Sequence, residues 1–311
     1  MMNTSTSAQQ PTGESPKKKL HVSLLLVAGF VFVASFAMGI AQLMGLGLGH
    51  LLGLGTLGKN FIEEVMVTST GGLNLEMQTL STVFSVAGVL GVIYLFWCVI
   101  EQKKIKDLGF ALKGHKWDFV WGSLFATGLM LLGFGILLAM GQIEVVSVQV
   151  NVGSLLLALL MFAAVSFNEE IICRGYMLGM LMGSTNRFAA LAISSFVFAT
   201  MHAFNPNMGF LPMLNLFIAG LMLGVTYIYT RNLWFPIGLH LFWNFVQGPV
   251  CGYNVSGTLT ESVFKLKYPT QNAINGGSFG FEGSVVCSLI MLVFVASVIF
   301  YYERKKSPER I

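Results

Sequence analysis

Six polar side chains stand in stretches that are otherwise almost wholly apolar: Glu169, Glu170, Arg174, His202, His240 and Asn244. In Glu169-Glu170-Ile171-Ile172-Cys173-Arg174, Glu170 and Arg174 are one helical turn apart with the acid on the N-terminal side, the favourable order for an ion pair. Glu169 then points about 100° away and is left without that partner, free to face a cavity as a general base. A structural alternative is that both acids only satisfy Arg174 and the backbone of a neighbouring helix. His202, in Phe198-Ala199-Thr200-Met201-His202, is either a reactive imidazole or a hydrogen-bonded core residue. His240 and Asn244 share one helical face and could donate hydrogen bonds into one small volume, as oxyanion stabilisation requires. The same pair could equally be an interhelical polar clamp.

The elements that must position these groups are membrane helices. Of the 311 residues 55% are hydrophobic and 10% charged, and the mean hydropathy is +0.73. Soluble domains carry roughly 25% charged residues, so a soluble globular enzyme is excluded. A net charge of only +4 and 35 aperiodic glycines exclude nucleic-acid-binding, disordered and collagen-like classes. Stretches 20–58, 77–100, 119–143, 145–168, 188–230, 232–260 and 283–302 contain no Asp, Glu, Lys or Arg. A span needs about 20 apolar residues. The 188–230 stretch is broken at Asn205-Pro206-Asn207-Met208-Gly209 into two. The expected fold is an all-α, polytopic integral membrane bundle of about eight helices, near 20–43, 79–100, 119–140, 153–182, 187–203, 210–230, 232–250 and 284–302. The Gly/Leu-rich tail from Leu43 to Leu57 reads as interfacial or re-entrant.

Charge sets the orientation. With the N-terminus in the cytoplasm, 14 of the 18 Lys and Arg fall inside, three (Lys59, Lys265, Lys267) outside, and Arg174 within a span. Both termini are therefore expected in the cytoplasm, in a multi-pass protein of the cell membrane. The polar residues before Lys17 read as a disordered tail, and the apolar run that follows is too long for a cleaved signal peptide and is read as a retained span. The chain divides into a tail 1–19, N-terminal helices and a basic loop 20–150, a core 151–250, and 251–311 with an outer loop, the last span and a basic tail. Cys98, Cys173, Cys251 and Cys287 have neither paired nor metal-ligand spacing, although a Cys251–Cys287 bridge is conceivable. No Walker loop, dinucleotide fingerprint or His-Glu-x-x-His occurs, and the halves show no repeat of the kind a secondary transporter would carry. At about 1.5 Å per residue, His202 lies about 22 Å above Arg187, and His240 and Asn244 about 13 and 20 Å above Arg231. Three helices can therefore bring Glu169, His202, His240 and Asn244 into one intramembrane pocket.

Glu169-Glu170-x-x-x-Arg174, Phe198-x-x-x-His202 and His240-x-x-x-Asn244, in that order on late helices, resemble the signature of the CPBP intramembrane proteases. That family, named for CAAX and bacteriocin processing, includes the type II CAAX prenyl protease and lysostaphin-resistance protein A-like proteins. The resemblance spans about residues 153–250, and Asp107-Leu108-Gly109-Phe110 is also similar to the family's usual opening. It implies an intramembrane endopeptidase acting on a peptide or protein at the membrane, with a CAAX-like prenylated chain among the substrates implied. It further implies that Glu169 and His202 activate water, that His240 and Asn244 hold the oxyanion, and that Glu170 and Arg174 support them. The family is often labelled metalloprotease. Glu169, His202 and His240 could supply three ligands to Zn²⁺, while a metal-free, glutamate-activated water fits the residues equally. Two readings from other classes stay open: a non-catalytic scaffold or immunity-type protein, and a transporter with a Glu/His proton relay. The expected partners are membrane lipid and the substrate.

Overall fold

The computed structural model describes residues 16–55, 60–63 and 74–305. Lys59, Lys306, Arg310 and the tail 1–15 lie outside the described residues. Several helices start where asparagine side chains cap free backbone N–H groups. Asn74 accepts from Met77 N, Asn151 from Ser154 N, and Asn186 from Phe188 N and Ala189 N. The helices are α1 (Pro16–Leu51), α2 (Leu75–Ile100), α3 (Asp118–Ala139), α4 (Val152–Leu181), α5 (Arg187–Met201), α6 (Phe210–Thr230), α7 (Trp234–Phe245, running on through Val246–Val250) and α8 (Val285–Lys305). The fold is an all-α polytopic membrane bundle.

Each of the eight expected helical positions is helical, but among the described residues only six helices reach the length and composition of a span. α5 is apolar yet short, and α7 is interrupted by a π turn over Val246–Val250 that contains Pro249. The segment after Leu43 is corrected: α1 continues without a break to Leu51. The glycines there let α1 lie against α2, since a Cβ on Gly45 would come within 2.8 Å of Ser81 Cα. α1 begins at Pro16, within the stretch 1–19 expected as a tail.

Two short strands, unexpected from the sequence, join opposite loops. β1 (Glu144–Val148) pairs antiparallel with β2 (Phe264–Lys267), with an irregularity between Val145 and Ser147. Residues 251–284 thereby form a built cap. Asn205 Nδ2 donates to Ser256 O at 3.0 Å, and Asn215 Nδ2 to Glu282 O and Ser284 O at 2.7 and 2.8 Å. Gly257 has φ +86° and lies so close to Pro206 O that any side chain there would clash. Cys251 and Cys287 are buried and free, so the conceivable bridge is absent between them. At the opposite end, Arg187 pairs with Glu303 at 2.5 Å, Arg231 Nη1 donates to Gly179 O at 3.4 Å, and Lys103 reaches Met180. Basic residues of four separate segments, Arg304 included, thus gather away from the cap. The Asp107–Phe110 loop seals that end: Leu108 is fully buried, and Leu233 N donates to Gly109 O at 2.9 Å.

Candidate functional site

α4 carries both carboxylates at the point where its geometry changes. The α-helix ends at Glu170 and a π-helical stretch, Ile171–Leu178, follows. Such widened turns recur at functional sites. Within it Arg174 Nη1 donates to Glu170 Oε1 at 2.8 Å, both side chains being shut off from solvent. Nη2 donates to Gly220 O on α6 at 3.1 Å, and the guanidinium lies 4.7 Å from the Phe198 ring centre. A buried charge survives in a bundle interior only with such partners.

The neighbouring residue is placed differently. Glu169 is partly exposed, and its Oε2, although itself buried, has no hydrogen-bond partner. It lies 3.8 Å from His202 Nε2 and 3.8 Å from His240 Nε2. Both imidazoles are oriented from behind. His202 caps the C-terminus of α5, and its Nδ1 is 2.8 Å from Phe198 O. A carbonyl only accepts, so this nitrogen carries the proton and Nε2 presents a lone pair when the ring is neutral. His240 Nδ1 is 2.8 Å from Glu170 Oε1, which fixes its ring in the same sense.

Glu169, His202, His240 and Asn244 all line one cavity of about 370 Å³. Glu170 and Arg174 stand behind its wall. α7, which carries His240 and Asn244, packs on α3 through small residues: Gly122 on α3 and Gly238 on α7 each sit against the other helix's backbone, with no room for a Cβ. Asn168, next to the acids, ties α4 to α2 through a 2.7 Å bond from Nδ2 to Ser85 Oγ.

The cap contributes residues that sequence reasoning missed: Ser256, Thr258, Thr260 and Glu282 also line the cavity, as do Asn205, between α5 and α6, and Gln78 of α2. Glu282 is buried, and its carboxylate accepts from Trp243 Nε1 at 3.1 Å and from Ser256 N and Oγ, both at 2.9 Å. The one sequence signal for it is a single acid standing immediately before the last apolar run.

For a metal, Glu169 Oε2 and the two Nε2 atoms are donors of the right kind, each ring held through its other nitrogen. Their 3.8 Å spacings exceed the roughly 3.4 Å expected between ligands about 2.1 Å from a tetrahedral Zn²⁺. Among the described residues no group of three His, Cys, Asp or Glu is set to hold a metal ion. The trio as placed does not fit zinc. It fits a water molecule, since two acceptors 3.8 Å apart can both be reached by one water at about 2.8 Å from each.

Residues 151–246 match the family model described as type II CAAX prenyl endopeptidase Rce1-like, a match covering less than half of the chain. No curated protein and no solved structure matches the chain.

Proposed function

We propose that this chain, whose residues 151–246 match the family model described as type II CAAX prenyl endopeptidase Rce1-like, is an intramembrane endopeptidase that hydrolyses a peptide bond of a membrane-associated substrate. The observation that carries the reading is Glu169 Oε2, held without a hydrogen-bond partner 3.8 Å from two imidazole nitrogens. In this reading residues 151–250 are the catalytic core, and the helices before and after it are its housing. The basic end faces the cytoplasm, with both chain termini, and the cap faces the opposite side.

A water between Glu169 and His202 donates one hydrogen bond to each. As its oxygen attacks the substrate carbonyl, Glu169 takes the proton and returns it to the departing amine. His202 accepts the second hydrogen bond at Nε2 and orients the attack. The oxygen of the carbonyl becomes an oxyanion and receives hydrogen bonds from Asn244 Nδ2 and His240 Nε2–H. His240 donates through both nitrogens only as the imidazolium, for which Glu170 is the counter-ion, and Arg174 in turn balances Glu170. Preorganised donors in a cavity shielded from bulk water stabilise such charge far better than they would in solution. No step requires a metal, so a strong chelator is expected to leave turnover unchanged.

The test is membrane proteomics on cells carrying the wild type, Glu169→Ala or His202→Ala. Each variant is expected to accumulate in the membrane while one or more peptides persist uncut. Normal processing in both variants would turn the reading toward a scaffold that keeps the helices for binding.

A further inference from the structure

A second cavity, of about 430 Å³, opens at the basic end and shares no residue with the one that holds Glu169. It is a crevice between α3 and α8. Asp118, Trp121 and Phe125 face it from one side of α3, and Phe294, Tyr301 and Tyr302 from one side of α8. Thr226 and Thr230 of α6 and Phe235 of α7 complete the lining. The two helices run in opposite senses, so Asp118 and Tyr301 share the mouth, and Phe125 and Phe294 lie about 10 Å deeper. The deep end is apolar: the Phe125 ring centre is 5.8 Å from that of Phe294 and 6.1 Å from that of Phe235.

An aromatic belt at the membrane surface accounts for Trp121 and Tyr301, but not for the polar groups set among them. The Asp118 carboxylate lies 2.7 Å from His115 Nδ1, and with about four acceptor positions it keeps room for further N–H donors. Two of the three hydroxyls in the lining are spent within their own helices. Thr230 Oγ1 donates to Thr226 O at 3.0 Å, and Ser297 Oγ to Val293 O at 2.7 Å. Thr226 is different: it is 4% exposed, and its Oγ1 has no hydrogen-bond partner. A buried donor left in that state is costly unless a ligand brings the acceptor. On the α8 side of the mouth, Lys305 Nζ lies 5.9 Å from the Tyr301 ring centre. The mouth therefore presents an acid on one helix and a base on the other, above an apolar slot.

We propose that this crevice binds one phospholipid with a primary-ammonium headgroup, a phosphatidylethanolamine, from the leaflet at the basic end. The ammonium donates to Asp118 beside the rings of Trp121 and Tyr301, and the phosphate meets Lys305. An ester oxygen accepts from Thr226 Oγ1, and an acyl chain lies along Phe125, Phe235 and Phe294. A choline headgroup has no N–H to give Asp118, and a glycerol headgroup has no cation for it. The site stands apart from the candidate active site, and the proposal holds whatever chemistry that cavity performs.

The test uses the purified full chain, stripped of lipid in detergent, with phosphatidylethanolamine, phosphatidylcholine or phosphatidylglycerol of identical acyl chains. Native mass spectrometry counts bound lipids, and thermal unfolding reads the stabilisation that binding confers. One phosphatidylethanolamine per chain is expected, bound at least about tenfold more tightly than either other lipid. In Asp118→Asn that preference should fall toward one. Thr226→Val keeps the side chain's shape and should weaken all three lipids about fivefold with the preference intact. Glu169→Ala, in the other cavity, should bind as the wild type does. Phosphatidylcholine or phosphatidylglycerol bound as tightly as phosphatidylethanolamine would overturn the proposal, as would an unchanged preference in Asp118→Asn or the absence of a retained lipid. Undiminished binding in Thr226→Val, or weakened binding in Glu169→Ala, would place the lipid elsewhere and overturn it too.

Discussion

α1 and α8 are the most apolar spans and among the most exposed, with 17% and 28% of their apolar windows buried; α4 and α6 are less apolar and are 50% and 67% buried. In water the relation would run the other way. Lipid solvates apolar side chains as well as a protein interior does, so hydrophobicity gives helices no reason to associate. Burial goes instead to helices carrying groups that lipid cannot solvate: Glu169, Glu170 and Arg174 on α4, Asn215 on α6, His240 and Asn244 on α7. Hydropathy marks which segments cross the membrane, and misplaced polarity marks which of them are central.

That contrast can be broken by substitution. The largest effect is expected for Glu170→Ala, which leaves Arg174 as an uncompensated buried charge and should cost about 3–5 kcal/mol, read as loss of membrane accumulation and a lower unfolding temperature. Asn244→Ala should accumulate normally and lower kcat by about 10²–10³-fold with little change in KM, the cost of removing one oxyanion donor. Ser256→Ala removes one side-chain hydrogen bond to Glu282 and should cost about 1 kcal/mol of thermal stability. Smallest of all, Phe32→Ala on α1, where the ring is 75% exposed to the lipid side, should shift stability by no more than about 0.5 kcal/mol. A large loss at Phe32 would contradict the contrast. The cap can be probed separately through Cys251, whose thiol burial pushes up to about 12. Because the thiolate forms only near that pH, a maleimide at pH 8 should leave Cys251 unlabelled until the protein is unfolded.

Much of the site could be read from the chain because polar groups in apolar helices are few and their helical spacing is informative. The Glu170–Arg174 pair follows from a four-residue offset, and the shared face of His240 and Asn244 from the same rule. The second partner of Glu170, His240 Nδ1, depends on how α7 packs on α4, which no local spacing encodes. Leu43 to Leu51 misled because glycine signals both chain reversal and close helix contact, and only the position of Ser81 on α2 decides between them. An outer loop over 251–283 could be read as either a cap or a flexible segment, and how the cap is built was illegible for a different reason. Its polar, glycine-containing sequence has no period, and Glu282 acquires its place through Trp243 and Ser256, distant in sequence.

The central claim is that Glu169 and His202 act on one water, and a double-mutant cycle tests it most directly. kcat/KM would be measured in liposomes for wild type, Glu169→Gln, His202→Ala and the double variant, all confirmed folded by thermal unfolding. Partners in a single step are grossly non-additive, so the double variant should be hardly slower than the worse single one. Losses that simply multiply would mean that the two side chains serve separate steps, and the shared-water mechanism would be wrong.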